Sequence, residues 1–285
     1  MQRPDVLVLG GGGRQGDAWM TGVLAGLEDA HGVSLAECDY FVGTSAGGIL
    51  AAKLASGRAL KRPSSSAATA ASGGRSPVPS WAASSALAIA APFAQLGLRL
   101  GKRPGELIRG AALGFVPVPA NDTLDFDGAF SQQFDGRLRV VAVDRRSGSR
   151  VVFGAPGAPE ASIAQALRAS CALPLVFSPA VIGGREYVDG AIWSPTNADV
   201  APATRDARVL IVAPMASAHG PWNAAVRAAS RAAMLIEASA LKARGSNVRM
   251  ITPDRSSAAS IGSDLMSDER LEETHAAGYA QSIGL

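Results

Sequence analysis

Ser45 stands in Gly43-Thr44-Ser45-Ala46-Gly47, a G-x-S-x-G run. A serine between small residues at a tight strand-to-helix turn has its hydroxyl exposed and set at a helix N-terminus. A developing negative charge is tolerated there, which is the chemistry of a nucleophile elbow. The flanks suit this. Tyr40-Phe41-Val42 reads as strand, and Gly48 to Ala55 reads as a helix with Gly57 as its stop. A five-residue match alone is equally well read as a glycine turn holding an incidental serine, and the flanking elements favour the nucleophile.

A second run, Gly10-Gly11-Gly12-Gly13-Arg14-Gln15-Gly16, lies between the strand-like residues 5–10 and a helical pattern. Glycines let backbone amides turn inward and approach a bound anion closely. Such a loop can hold a dinucleotide pyrophosphate, or it can stabilise the oxyanion of a tetrahedral acyl intermediate. A dinucleotide fold would close its second strand with an acidic residue for the ribose. Here that strand ends in Gly43-Thr44-Ser45, and Glu37 and Asp39 come before it. The oxyanion reading is therefore preferred. A third run, Tyr187-Val188-Asp189-Gly190-Ala191, follows the glycine pair Gly183-Gly184. A carboxylate at the end of a short strand can be aimed sideways at a hydroxyl. Alone, an Asp-Gly pair is usually just a turn, and Asp189 gains weight only beside the other two runs.

Positioning these groups takes a sheet with helices on it. Strands are expected near 5–10, 39–43, 138–144, 208–213 and 248–252, with shorter ones at 150–153 and 186–188. Alanine-rich helical stretches alternate with them, which predicts an α/β fold of three layers, α/β/α, around a largely parallel central sheet. Met20, Val23, Leu24 and Leu27 give the first helix one apolar face, and Asp17 is expected in its first turn. Residues 58–80, rich in Ser, Gly and Pro, read as a mobile loop, and 82–135 reads as a helical insertion that could cap the site. The whole of 1–285 is expected to form a single domain.

Composition narrows the function. Hydrophobic residues make up 47% and charged residues 18%, an ordinary globular balance, and the formal charge is +3. No dense Lys/Arg block points to a nucleic acid. The strand at 5–10 follows Met1 to Pro4 directly, so no secretion signal is expected, and the apolar stretch 82–100 is cut by Pro92 and is not expected to span a membrane. Cys38 and Cys171 read as buried hydrophobes in a reducing cytoplasm.

The three runs, in this order, resemble the patatin-like phospholipase family, with its glycine-rich loop, G-x-S-x-G and Asp-Gly-Gly or Asp-Gly-Ala motifs. Ala169 to Pro179 and Ser194 to Asp199 are similar to segments that flank the family's aspartate. The resemblance covers both ends of the site but not residues 58–135. It implies a patatin-like fold, a lipid or acyl ester as substrate, no cofactor or metal, and a cytoplasmic protein that touches membrane surfaces transiently. It also implies that Ser45 is the nucleophile and Asp189 its base, with Gly43 and Gly47 shaping the elbow. The oxyanion loop would comprise Gly11, Gly12, Gly13, Arg14 and Gly16, with the amides of Gly11 to Gly13 as donors. The family commonly carries a basic residue just before the last glycine of that loop. Here that position is Gln15, with Arg14 one place earlier.

A carboxylate with an ordinary pKa near ~3.9 is a weak base for a hydroxyl, which shifts the burden to the oxyanion loop. The rival is a Ser-His-Asp triad using His219, or less readily His275 on a polar helix. His31, after the first helix, reads as its C-terminal cap. A different class of reading is a non-catalytic protein that keeps an acyl pocket without turnover. Trp81, Trp193 and Trp222 are read as packing residues.

Overall fold

A computed structural model of the chain describes residues 1–63, 102–120, 124–130 and 133–285. The strands are β1 (Val6–Leu9), β2 (Tyr40–Thr44), β3 (Leu138–Asp144), β4 (Arg150–Phe153), β5 (Ala180–Ile182), β6 (Arg185–Asp189), β7 (Arg208–Val212) and β8 (Asn247–Ile251). They form one sheet in the order β5-β6-β3-β2-β1-β7-β8, with β4 also paired to β3. Strands β3, β2, β1, β7 and β8 run parallel, while β4, β5 and β6 are antiparallel to their neighbours.

The fold is mixed α/β, and its central strands β1 and β3 are buried on both faces, as their apolar runs Val6–Leu9 and Val140-Val141-Ala142-Val143 require. Successive side chains of a strand point to opposite faces, and the core divides accordingly. Leu7, Leu9, Phe41 and Val140 pack with residues of α1 (Gly13–His31), α2 (Ala46–Ala55) and α4 (Ile163–Cys171). Val6, Val8, Val42, Val141 and Ile211 pack under Met234, Ala238 and Leu241 of α5 (Ala224–Ala243). The remaining helices among the described residues are α3 (Lys102–Gly114), α6 (Arg255–Ile261) and α7 (Leu271–Ile283), and α7 lies along α1. None of these helices is long and apolar enough to cross a membrane.

Three features depart from the sequence reading, and a fourth stretch is described only in part. Helix α1 already starts at Gly13, which puts Asp17 in its second turn, where the N-terminal dipole no longer favours a carboxylate. The short strand β5 was not expected; it forms a hairpin with β6 across Gly183 and Gly184, both at positive φ (57° and 74°), the backbone a tight two-residue turn needs. Within the expected insertion, 102–114 is helical but 115–120, 124–130 and 133–135 are turns and irregular chain, and 82–101 lies outside the described residues. The described part of the expected loop, 58–63, is irregular, and 64–80 lies outside the described residues.

The turn from β2 into α2 is packed against the end of β1. A Cβ on Gly47 would lie 2.2 Å from the Leu9 carbonyl oxygen, closer than any relaxed contact, so the close approach requires glycine. Gly47→Ala is expected to destabilise the fold by about 1–3 kcal/mol, read as a fall in denaturant midpoint. An unchanged midpoint would mean that α2 shifts freely on the sheet.

Candidate active site

Ser45 closes β2 and caps α2 with its backbone at φ 53°, ψ −124°, left-handed for a residue with a side chain. That conformation costs roughly 1–3 kcal/mol and persists only where surrounding structure over-determines it. Here it turns the hydroxyl out of the sheet at the first turn of α2. Leucines, Ile49 and Lys53 follow in the helix, so Ser45, Ile49 and Lys53, spaced i, i+4 and i+8, share one face and line one cavity.

Asp189 reaches Ser45 through the sheet. Strand β4 occupies one edge of β3 along Val140 to Val143. On the other edge, β2 pairs up to Thr44–Val141 and the antiparallel β6 begins at Asp189–Ala142. The carboxyl ends of β2 and β6 therefore meet tip to tip along β3. The junction is so tight that a Cβ on Gly190 would lie 2.3 Å from the Val141 carbonyl oxygen, which accounts for the glycine after the aspartate.

The Asp189 residue is 2% exposed, and one carboxylate oxygen accepts the Ala191 amide at 2.8 Å. Burial drives its pKa up to about 7, against the smaller stabilising effects of that amide and of the Ser45 hydroxyl beside it. The carboxylate is thus a far better base near neutrality than an exposed aspartate, because proton transfer is most effective when the base's pKa lies near the working pH.

Both residues open into a cavity of about 550 Å³ at the carboxyl ends of the strands. Its walls are mainly apolar, with Leu124, Phe126, Leu173, Phe177, Met215 and Met266 among them. Asp17 and Lys53 add a polar margin, with Lys53 Nζ 3.8 Å from an Asp17 oxygen. Burial raises the Asp17 pKa more than Lys53 and Arg14 lower it. Among the described residues of the insertion, Leu124 and Phe126 line the cavity.

The glycine loop also borders the cavity through Gly11, Gly12, Gly13 and Arg14. Its amides are not equivalent. Gly11 donates to the Pro195 carbonyl at 2.8 Å, and Gly16 to Gly12 at 2.9 Å, so neither amide is free for a substrate oxygen. Among the described residues, the amides of Gly12, Gly13 and Arg14 have no hydrogen-bond acceptor, as befits the open start of a helix. The Arg14 guanidinium pairs with Asp268. Gln15 is 1% exposed; its Nε2 donates to the Ser267 carbonyl at 2.9 Å and its Oε1 accepts the Thr274 hydroxyl at 2.7 Å. The position at which the resemblance leads one to expect a cation therefore pins the chain before α7 to α1.

None of the three histidines lines the cavity. His219 follows β7 and is exposed. His275, expected to be solvated, is buried, and its Nε2 lies 3.0 Å from the Lys61 carbonyl oxygen; packing of α7 on α1 overrode the polar pattern. His31 ends α1, where Gly32 supplies the cap. Cys38 and Cys171 are buried free thiols, and burial pushes the Cys38 pKa up to about 12. Cys171 lines the cavity next to Ser45, its pKa driven well above the usual thiol value by burial and then by Asp189. Trp193 is stacked by Arg109 at 4.2 Å and Arg150 at 5.0 Å, and Trp222 is buried. Trp81 lies outside the described residues. Among the described residues, no group of His, Cys, Asp and Glu could hold a metal ion.

Two polar residues at the site carried no assignable role in the sequence. Ser170 accepts the Ser45 amide, and Asn197 donates to Thr44 and to Gly190. Serine and asparagine inside alanine- and proline-rich segments give no pattern of their own, and only the tertiary pairing exposes them.

A family model described as patatin-like phospholipase matches residues 7–202, well over half of the chain. Among solved structures, VipD from Legionella pneumophila is similar at 16% sequence identity and a TM-score of 0.47, over 99% of this chain. The present chain spans 66% of the length of that one. No curated protein matches the chain.

Proposed function

The chain belongs to the patatin-like phospholipase family, and on that premise we propose that it is a lipid acyl hydrolase working through a Ser45–Asp189 dyad. The observation that carries this reading is the meeting of Ser45 and Asp189 in one apolar cavity, the aspartate buried and its pKa raised to about 7.

On this reading Asp189 accepts the Ser45 hydroxyl proton as Oγ attacks the ester carbonyl carbon. The carbonyl electron pair moves to oxygen, which the amides of Gly12, Gly13 and Arg14 stabilise at the N-terminus of α1. The intermediate collapses, Asp189 returns the proton to the departing alcohol, and the acyl group stays on Ser45. Water then attacks the acyl-serine while Asp189 takes its proton. The fatty acid leaves as Ser45 recovers a proton from Asp189. The apolar walls suit an acyl chain, and fatty acyl esters of phospholipids or related glycerolipids are the proposed substrates. Contact with their surface is proposed to be transient.

The test is fatty-acid release by the purified chain from phospholipids, lysophospholipids, glycerides and short p-nitrophenyl esters. Free fatty acid from at least one long-chain glycerolipid is expected. Lipid bound but returned intact, with no reaction at Ser45 toward a fluorophosphonate, would instead make the protein an acyl-binding one.

A further inference from the structure

The strained backbone of Ser45 needs holding, and two fully buried side chains from outside the three glycine-containing motifs do it. Ser170, the eighth residue of α4, accepts the Ser45 amide at 2.8 Å and donates its own proton to the Val141 carbonyl at 2.6 Å. Val141 is the residue that pairs with Thr44 in the sheet. One hydroxyl therefore ties the elbow to the place on β3 where β2 and β6 meet. Ser170 is 0% exposed, so both bonds are made away from bulk water.

Asn197 approaches from the opposite side. It is 0% exposed, and the two hydrogens of its amide nitrogen are shared among Thr44 Oγ1 at 3.1 Å, the Gly190 carbonyl at 3.3 Å and the Ser194 carbonyl. Its oxygen accepts from Arg150 at 3.2 Å, and Arg150 grips Asp199 through both terminal nitrogens at 2.6 and 2.7 Å. Two residues earlier, Pro195 holds the Gly11 amide. This single short segment thus touches the residue before the nucleophile, the residue after the aspartate, and the glycine loop. It is itself anchored by Glu237, which accepts the Thr196 hydroxyl at 2.6 Å and the Ala198 amide at 2.8 Å.

We propose that Ser170 and Asn197 are positioning residues: Ser170 fixes the backbone conformation that aims the Ser45 hydroxyl, and Asn197 fixes the separation of Ser45, Asp189 and the glycine loop. The role rests on Ser45 being the nucleophile. Neither side chain touches the substrate, so each acts on the rate of attack and not on binding. A misplacement of about 1 Å is enough to cost on the order of 100-fold in rate.

A fluorophosphonate probe tests this on the full chain, because it reports the rate of attack by Ser45 and, at completion, the fraction of chains able to react. Ser170→Ala removes the hydroxyl alone. Asn197→Gly removes the side chain, and glycine takes the φ of 50° found there without strain. Each variant is expected to be labelled to the wild-type endpoint but about 10- to 100-fold more slowly, with ester kcat reduced by a similar factor and KM kept within about twofold. A merely structural role gives the opposite split, a lower endpoint reached at the wild-type rate, and that result overturns the proposal. Unchanged rates, or failure of both variants to fold, overturn it as well. A wild-type chain that takes up no probe would be a different failure, one that removes the hydrolase reading itself and this proposal with it.

Discussion

Replacing Ser45 with alanine is expected to reduce ester turnover by about 10⁴-fold or more, the scale on which a lost nucleophile acts in serine hydrolases. The fold should survive. Ser45 is held through its backbone amide, which alanine keeps, and its hydroxyl faces the cavity and not the core. Alanine at this left-handed position is strained to a degree similar to serine, so the thermal midpoint is expected to stay within a few degrees. Turnover within tenfold of wild type in purified Ser45→Ala would place the chemistry elsewhere in the cavity.

Asp189→Asn is expected to lower kcat/KM by roughly 10³- to 10⁴-fold, since the amide cannot take the serine proton while its shape and its bond to the Ala191 amide are retained. For the wild type, kcat/KM should climb with pH and level off above the aspartate's pKa of about 7, because only the ionised form is a base. The same group makes a prediction about stability. Its folded pKa, about 7, exceeds the ordinary 3.8 of an unfolded aspartate. The folded state therefore holds the proton more tightly, and stability falls as pH rises from about 4 to above 7. Asparagine carries no such charge. Asp189→Asn should match the wild type in acid and be the more stable of the two at pH 8, by on the order of a few kcal/mol. Denaturant melts at a pH just below the unfolded value of 3.8 and at pH 8 test this, and a variant less stable than wild type at pH 8 would contradict the burial argument.

Much of this site was legible in the sequence because its parts are local. The elbow at Gly43 to Gly47 announces itself through a strand, a serine among small residues and a helix, all contiguous. Strands such as Leu138–Asp144 and Arg150–Phe153 were legible too, because the β-branched clusters Val140-Val141-Ala142-Val143 and Val151-Val152 favour strand. What local pattern could not convey is which neighbours the chain brings together. The antiparallel β6, which carries Asp189 to the tip of β2, depends on pairing with β3 some 45 residues earlier in the chain. The raised pKa of Asp189 comes from burial that no spacing encodes, and it reverses the expectation of a weak base.

The glycine loop shows the same limit at finer scale. Four consecutive glycines offered amides in plenty, yet Gly11 is committed to Pro195, nearly two hundred residues away. Arg14 and Gln15 look in sequence like a displaced version of a cationic helper. Their partners, Asp268 for one and Ser267 and Thr274 for the other, make them instead a latch on the chain leading into α7. On the proposed reading the oxyanion is held by backbone amides, a point on which a side-chain pattern is silent.

The dyad stands or falls most directly on the covalent intermediate. Rapid acid quench of the wild-type chain during turnover of a long-chain acyl ester, followed by mass analysis of its peptides, is expected to find the acyl group on the peptide bearing Ser45. The same treatment of Asp189→Asn should leave that peptide unmodified on the same time scale. Steady hydrolysis with no acyl group ever on Ser45, or an acyl group on another residue, would contradict the account.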